Sequence, residues 1–235
     1  MNLFITGSTG FIGKNLIEEL NKIGGYQIYT YDKGDTLEEL KSKINEIDFV
    51  IHLAGVCKSP RVEDFKEVNV DLTKEIVNIM KKAKKNIPII FSSSIHAILD
   101  TDYGRTKLEA ENIIKEEIAE SHIFRFHNLF GKYARPNAHS VVATFCYNIS
   151  HDLEITINDP AATIEFAYID EVVKNILDIL NGKTATKEIM YIEKRYKVTI
   201  KELADAIYKM KNNEKPQNEF EEKIKETYDY YRNEA

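Results

Sequence analysis

Thr6-Gly7-Ser8-Thr9-Gly10-Phe11-Ile12-Gly13 is the stretch that decides the fold of this chain. This Gly-x-x-Gly-x-x-Gly loop follows an apolar run, Leu3–Thr6, and leads into a helix-like repeat over Ile12–Ile23. Glycines let a backbone turn tightly and approach a pyrophosphate, whose negative charge faces the amides at the helix start. Asp32 lies 19 residues after Gly13, near the spacing of about 20 at which a carboxylate contacts a dinucleotide ribose. The loop therefore predicts a dinucleotide site, with a tight structural turn as the alternative.

The residues around Asp32 bear on which dinucleotide is bound. Asp32 can accept hydrogen bonds from both ribose hydroxyls and would repel a 2′-phosphate, which favours NAD(H) over NADP(H). Lys33 follows directly and can offset that repulsion, so the preference for NAD(H) is slight. A solvated loop carboxylate is the alternative explanation of Asp32.

Strand-like and helix-like stretches alternate through the first half of the chain. The predicted strands are Leu3–Thr6, Gln27–Tyr31, Phe49–Leu53, Pro88–Ser92 and Ile123–Phe126. The predicted helices between them are Ile12–Ile23, Leu37–Asn45, Glu67–Ala83 and Tyr103–Ala119. This rhythm is typical of an α/β fold, a doubly wound parallel sheet with helices on both faces.

After Asn128 the rhythm changes, which predicts a small substrate lobe over the C-terminal edge of the sheet. Its predicted elements are helices at Val141–Ile149, Asp170–Leu180, Thr199–Lys211 and Phe220–Tyr231, and short strands at Glu154–Ile157 and Ala167–Ile169. We therefore expect a dinucleotide-binding core over 1–130, which also takes in part of 164–182, and a mainly substrate-binding lobe over 131–235.

Composition limits the possible partners. The 235 residues carry a formal net charge of -6 and the pI is about 5.6, so no basic field exists to attract nucleic acid. Cys57 and Cys146 lie far apart and fit no metal-ligand spacing, which indicates a reduced, cytoplasmic protein without a metal site. Apolar runs fall short of the roughly 18 residues of a spanning helix. The start of the chain lacks a signal-peptide pattern, so neither membrane insertion nor export is expected.

Tyr103-Gly-Arg-Thr-Lys107 is a Tyr-x-x-x-Lys pattern at the predicted start of a helix. Residues four apart share a helix face, so Lys107 can lower the pKa of Tyr103 and can also hold a cofactor ribose. Upstream, Phe91-Ser92-Ser93-Ser94 ends a strand, where a serine hydroxyl can bind a substrate carbonyl or alcohol. A structural tyrosine on a helix is the ordinary explanation of such a pattern. Its position after a glycine loop, an acidic residue and a serine-ended strand favours proton transfer.

Together these motifs resemble the short-chain dehydrogenase/reductase superfamily. The likeness is carried by the glycine triplet, His52-Leu53-Ala54-Gly55, Asn69-Val70, Ser92–Ser94 and the Tyr103/Lys107 pair. The stretches Arg125–Gly131 and Phe166–Glu171 resemble its extended, sugar-nucleotide branch, the NAD-dependent epimerase/dehydratase family. The stretches 52–56, 92–97, 103–109, 128–132, 136–137 and 140–146 resemble, more narrowly, the reductase half of bacterial capsule enzymes that make UDP-N-acetyl-L-fucosamine precursors.

The resemblance implies roles for the matched positions. Tyr103 is similar to the catalytic acid/base, Lys107 to its ribose-binding partner and Ser94 to the hydroxyl that orients the sugar, with Ser93 as the alternative. The loop and the resemblance together predict cofactor contacts by Gly7, Thr9, Gly10, Phe11, Ile12, Gly13, Asp32, Lys33, Leu53, Ala54, Gly55, Asn69, Ser92, Tyr103 and Lys107. The predicted substrate contacts are Ser94, His96, Asn128, Arg135 and Ser140. His127 and His139 also fall on the substrate side, where a lone histidine is more often packed or solvated than catalytic.

The chain departs from the wider branch in three ways. Tyr103 follows Ser94 by only 9 positions, a shortening that the capsule subgroup shares. Ile164 stands where many extended members have an arginine, so another residue is expected to bind phosphate. The capsule enzymes also carry a C-terminal cupin domain that epimerises the sugar. This chain stops before it, so epimerisation at C3 is not expected.

These observations predict reversible hydride transfer between NAD(P)H and the C4 carbonyl of a nucleotide-linked sugar. A 4-epimerase that retains NAD is the first alternative, because it would use the same residues. A non-catalytic dinucleotide-binding sensor is the second, since a fold alone does not decide function. The resemblance also implies a homodimer formed through the helices at about 67–83 and 103–119.

Overall fold

The computed structural model describes residues 1–138, 140–183 and 189–234, so His139 lies outside the described residues. The chain divides into two compact units. The first comprises Met1–Phe126 and Val173–Tyr191, and the second comprises His127–Val172 and Ile192–Ala235. No helix in the described ranges combines the length and the apolar character needed to cross a bilayer.

A five-stranded parallel sheet forms the centre of the first unit. Its strands are β1 (Asn2–Thr6), β2 (Gln27–Tyr31), β3 (Phe49–His52), β4 (Ile89–Ser94) and β5 (Ser121–Phe126). They lie in the order β2-β1-β3-β4-β5, and every pair is parallel. The predicted α/β fold is confirmed. Every residue of β3 and β4 is buried, as expected of central strands covered by helices on both faces.

The helices of this unit follow the strands in the βα alternation. They are α1 (Phe11–Ile23), α2 (Glu38–Lys43), α3 (Val62–Lys66), α4 (Leu72–Met80) and α5 (Asp102–Glu117). Most of a later helix, Ile169–Leu180, also belongs to this unit. A π-helical turn, Glu67–Asp71, joins α3 to α4, and a 3-10 turn, Ile95–Ile98, follows β4.

The second unit has a smaller mixed sheet. Its strands β6 (Asn128–Phe130), β7 (Thr163–Tyr168) and β8 (Tyr196–Thr199) lie in that order, with β6 parallel and β8 antiparallel to β7. Its helices are α6 (Val141–Ser150), the beginning of α7 (Ile169–Leu180), α8 (Ile200–Lys211) and α9 (Glu219–Asn233). Thr199 and Glu202 form the predicted capping box at the start of α8.

Three sequence predictions about these elements are wrong or incomplete. Glu154–Ile157 is not a strand, because its alternation gives half-buried isoleucines but no neighbouring strand pairs with them. β6 and β8 were not predicted, since strands of three and four residues leave little periodicity to detect. The predicted long helix over Glu67–Ala83 instead begins with the π-helical turn and ends at Met80.

Candidate active site

The glycine loop packs directly against the backbone at the end of β3. Gly7 has φ +71°, and a Cβ placed there would lie 2.8 Å from the Ala54 nitrogen. A Cβ on Gly13 would lie 2.2 Å from the Gly7 carbonyl oxygen, so α1 starts at a distance that only glycine allows. The result is a backbone cradle at the start of a helix, the arrangement that accommodates a pyrophosphate. The residues present therefore fit a dinucleotide.

Asp32 lies beside this loop, just after β2. Its carboxylate accepts hydrogen bonds from the Thr9 amide (3.1 Å), the Thr9 hydroxyl (2.7 Å) and the Ser8 hydroxyl. A carboxylate offers about four acceptor positions, so at least one remains for a ribose hydroxyl. Hydrogen bonds from Ser59 and Arg61 lower the pKa of Asp64, and the positive charge of Lys33 lowers it slightly further.

Ser94 and Tyr103 form the centre of the candidate catalytic site. Ser94 ends β4, and its hydroxyl accepts a hydrogen bond from the His96 amide at 3.1 Å. Burial raises the pKa of Tyr103, the Ser94 hydroxyl lowers it, and Cys57 raises it further. The His96 ring meets the Tyr103 ring edge-on, with the two centroids 6.3 Å apart.

Strand alternation separates Ser94 from Ser93. Ser93 donates a hydrogen bond to Glu111, a fully buried carboxylate on α5. Glu111 is held by Arg125 through two contacts of 2.9 and 2.7 Å. Successive side chains of a strand point to opposite faces, so Ser93 serves this buried ion pair while Ser94 faces Tyr103.

Lys107 is buried beneath the loop that follows β3. Its amine donates to the Ser92 carbonyl at 2.6 Å and lies 4.5 Å from the Phe91 ring centre. Burial lowers the pKa of Lys107 to about 8, against raising effects of Glu111 and Cys57. Only 3.2 Å would separate this amine from a Cβ on Gly55. The expected lowering of the Tyr103 pKa by Lys107 is not found: burial raises that pKa, and the Lys107 amine is bonded to the Ser92 carbonyl.

Asn69 lies in the π-helical turn and fixes the loop after β3. Its side chain accepts from the Val56 amide at 2.9 Å and donates to the Val56 carbonyl at 3.0 Å. A third contact, of 3.2 Å, reaches the Thr106 hydroxyl on α5. A Cβ on Gly55 would also lie 3.2 Å from the Asn69 side-chain oxygen. Asn69 therefore sets the spacing between this loop and the helix that carries Tyr103.

Gly104 was not among the predicted site residues, yet the position of Tyr103 depends on it. A Cβ at Gly104 would lie 2.2 Å from the Leu99 carbonyl oxygen and 2.5 Å from that of His96. The short segment between Ser94 and Tyr103 coils into the 3-10 turn, whose carbonyls fill the space a side chain would need. The signal available in the sequence was the shortness of this segment together with the glycine next to Tyr103.

The predicted substrate residues Asn128, Arg135 and Ser140 belong to the second unit, whereas Ser94 and His96 belong to the first. Asn128 is exposed at the start of β6 and donates to the Glu165 carbonyl at 3.4 Å. Arg135 is exposed in the loop between β6 and α6. Ser140 caps α6, where its hydroxyl accepts from the Ala143 amide at 3.3 Å. Among the described residues, no cluster of His, Cys, Asp and Glu side chains is placed to hold a metal ion.

Comparison with known proteins identifies a matching family and a related enzyme. The model of the NAD dependent epimerase/dehydratase family matches residues 3–192. A UDP-2-acetamido-2,6-beta-L-arabino-hexul-4-ose reductase from Pseudomonas aeruginosa is 36% identical over 219 residues, which cover 92% of this chain and 59% of that protein. The chain thus spans about three fifths of the length of this relative.

Solved structures give the same picture of the fold. The crystal structure of the capsular polysaccharide assembling protein CapF from Staphylococcus aureus superposes with a TM-score of 0.87 and 35% identity, over 98% of this chain and 66% of that chain. UDP-glucuronic acid 4-epimerase from Bacillus cereus in complex with NAD gives a TM-score of 0.82 at 19% identity, over 98% of both chains. The similarity to the epimerase is a similarity of fold alone.

The buried amine of Lys107 predicts a pH dependence of stability. An unfolded lysine has a pKa of about 10.4, whereas burial lowers the pKa of folded Lys107 to about 8. Between these values the unfolded chain binds more protons, so the free energy of unfolding should rise with pH by up to about 1.4 kcal/mol per unit. Urea denaturation from pH 7 to 10 should show this rise in the wild type relative to Lys107→Met.

Lys66→Met, which removes an exposed lysine from α3, is the matched control and should run parallel to the wild type. Parallel curves for the wild type and Lys107→Met would contradict the lowered pKa of the buried Lys107 amine.

Proposed function

Because the chain belongs to the NAD dependent epimerase/dehydratase family, we propose that it catalyses the NAD(P)H-dependent reduction of a 4-keto nucleotide sugar. The proposed substrate is of the UDP-2-acetamido-2,6-dideoxy-hexos-4-ulose type, used in surface polysaccharide precursor synthesis. The observation that carries the proposal is the convergence of Ser94 and Tyr103 on His96 at the end of β4, beside the buried amine of Lys107: Ser94 bonds to the His96 amide and the Tyr103 ring meets the His96 ring. The 36% identity to a reductase of this substrate class supports the choice of sugar.

The chemistry follows from the surroundings of these three residues. When bound, a nicotinamide would supply the hydride that the carbonyl carbon takes up. Tyr103 gives its proton to the carbonyl oxygen, and the raised pKa of this phenol leaves it protonated at neutral pH, as an acid must be. Ser94 donates a hydrogen bond to the same oxygen and orients it. Lys107 would hold the cofactor ribose through its amine, which a Cβ on Gly55 would approach to 3.2 Å.

Two alternatives use the same fold. A nucleotide-sugar 4-epimerase would return the hydride to the same sugar, so measuring stoichiometric cofactor consumption separates it from the reductase. A non-catalytic dinucleotide-binding sensor would not need a serine hydroxyl, a tyrosine and a buried lysine amine grouped at the end of β4. The presence of that group favours catalysis.

The proposal also includes the cellular compartment and the oligomeric state of the protein. Cys57 and Cys146 are both free thiols, which suits a reducing, cytoplasmic compartment. We expect a homodimer formed by α4 and α5, whose exposed faces carry the Lys74–Glu109 and Lys81–Glu117 ion pairs.

Removing the Tyr103 hydroxyl should abolish most of the activity. Tyr103→Phe is expected to lower turnover by about 10²-fold or more, because general acid catalysis typically contributes 10²–10⁴. Cofactor affinity should change little. Loss of the reduced-nicotinamide absorbance measures the rate, and Tyr208→Phe, at an exposed position on α8, is the control. Reduction near the wild-type rate by Tyr103→Phe would show that the proton comes from another group.

Asp32 should set the choice of cofactor. Its carboxylate, fixed by Ser8 and Thr9, would repel a 2′-phosphate, so the wild type should bind NADH more tightly than NADPH. The resemblance to the capsule reductases favours NADPH instead, which makes the measurement decisive. Titration of both cofactors into Asp32→Ala should show a smaller difference between the affinities for NADH and NADPH. Glu39→Ala, which removes an exposed charge on α2, should leave that difference unchanged. A wild-type preference for NADPH that Asp32→Ala leaves unchanged would remove Asp32 from the ribose site.

Arg135 should contribute to binding the two phosphates of the substrate. The protein as a whole is acidic, so single cations such as Lys132 and Arg135 must act through their placement. Calorimetry should show binding of UDP sugars, with affinity lowered roughly 10- to 100-fold in Arg135→Ala, as for a lost charge-assisted hydrogen bond.

Lys201→Ala, at an exposed position on α8, is the control for Arg135→Ala. Titration with GDP and dTDP tests whether the site prefers uracil over other bases. If no nucleotide binds at millimolar concentration while a simple alcohol is oxidised, the sugar-nucleotide assignment is wrong and only the oxidoreductase remains.

A further inference from the structure

The loop between β6 and α6 has an unusual backbone. Within seven residues it contains three positive φ angles, at Gly131 (+143°), Tyr133 (+70°) and Asn137 (+55°). Bulky side chains such as that of Tyr133 rarely adopt this region, because Cβ approaches the following carbonyl. Such a conformation persists only where the surrounding structure enforces it, and it is then a reason to look for function.

The C-terminal helix α9 supplies much of this enforcement. Tyr231 is fully buried, and its hydroxyl donates to the Ala134 carbonyl, with the Gly131 carbonyl 3.4 Å away. The ring of the adjacent Tyr230 packs edge-on against Tyr133, with centroids 5.3 Å apart. Two neighbouring tyrosines of one helix therefore hold the loop at its carbonyls and at its strained side chain.

Two further contacts fix the ends of the loop. At Gly131, a Cβ would lie 2.4 Å from a methyl carbon of Ile169, so β6 can leave the sheet here only through a glycine. At the other end, the Asn137 amide donates to the Thr144 hydroxyl of α6 at 3.0 Å. The middle of the loop, from Lys132 to Arg135, then depends on α9.

Lys132 and Arg135 are the cations assigned above to the phosphates of the substrate. Lys132 lies over the Tyr133 ring at 5.3 Å, so the conformation of Tyr133 also places this amine. We propose that Tyr231 is a positioning residue for nucleotide-sugar binding, because its hydroxyl holds the loop in the conformation that presents these two cations. The inference rests on the proposed function.

Pre-organisation makes the expected effect specific to substrate affinity. A loop that is already ordered does not have to be ordered on binding, which is where a rigid site gains affinity. Removing the hydroxyl releases a neutral hydrogen bond, so Tyr231→Phe should weaken binding by roughly 2- to 10-fold. KM for the sugar nucleotide should rise accordingly, with a much smaller change in kcat at saturation. Affinity for NADH should not change, since the loop carries none of the residues of the glycine cradle.

The experiment is calorimetry of the full chain with UDP-N-acetylglucosamine as the probe, together with steady-state kinetics. Tyr168→Phe is the matched control, because it removes the hydroxyl of another buried tyrosine, which ties α9 to β7 through Glu226 at 2.9 Å. Tyr230→Ala changes a half-buried side chain and gives a second route to the same loop if Tyr231→Phe folds poorly.

The outcomes separate this inference from the proposed function. Weaker probe binding in Tyr231→Phe and Tyr230→Ala, with Tyr168→Phe like the wild type, supports the inference. Equal binding by Tyr231→Phe and the wild type overturns it and leaves the proposed function standing. Equal weakening in Tyr168→Phe also overturns it, because a general loosening of α9 would then suffice. If the wild type itself binds no UDP sugar, the proposed function falls and takes this inference with it.

Discussion

The backbone contact between the glycine loop and the end of β3 is the constraint on which the first unit depends. A Cβ on Gly7 would lie 2.8 Å from the Ala54 nitrogen, so any side chain there would push β3 away from the loop. The Gly7 amide meanwhile donates to the Tyr31 carbonyl at 2.8 Å, which ties the same turn to the end of β2. One turn thus brings together the helix start, Asp32 after β2 and the residues after β3. No other residue type at Gly7 allows all three to meet.

A buried histidine, His52, connects the strand before the glycine loop to the turn that holds Asn69. His52 bonds to the Thr6 hydroxyl through Nδ1 at 2.7 Å and to the Thr73 hydroxyl through Nε2 at 2.9 Å. The Thr73 hydroxyl uses its proton on the Asn69 carbonyl, so His52 must carry its own proton on Nε2 and accept from Thr6. Burial, and then Lys107, lower the pKa of His52 to about 3, so the ring stays neutral at ordinary pH. The chain of bonds therefore keeps one direction, from the glycine-loop strand to the turn that holds Asn69.

The sequence predicts those features that depend on neighbours along the chain. Glycine spacing, strand runs and the Tyr103–Lys107 interval each reflect local geometry, and in the first unit the structure places the corresponding strands and helices close to where they were expected. The features that were missed depend on contacts distant in sequence. Gly104 matters because of carbonyls in a preceding turn, and the environment of Lys107 depends on Ser92 and Gly55. From the sequence alone, Tyr231 is an ordinary helix residue. Its role depends on a hydrogen bond to the carbonyl of Ala134, which lies 97 positions earlier in the chain.

The bonding of Asp32 also bears on how a cofactor would be held. A reductase must release its cofactor after each turnover, whereas an epimerase that retains NAD gains from a site that is costly to empty. In this chain the hydroxyls of Ser8 and Thr9 and the Thr9 amide all donate to Asp32. These bonds fix the carboxylate beside the glycine loop, so that its remaining acceptor position is oriented for a ribose hydroxyl. They do not separate exchange of the cofactor from its retention, which is why the stoichiometry of cofactor consumption is the test that distinguishes a reductase from an epimerase.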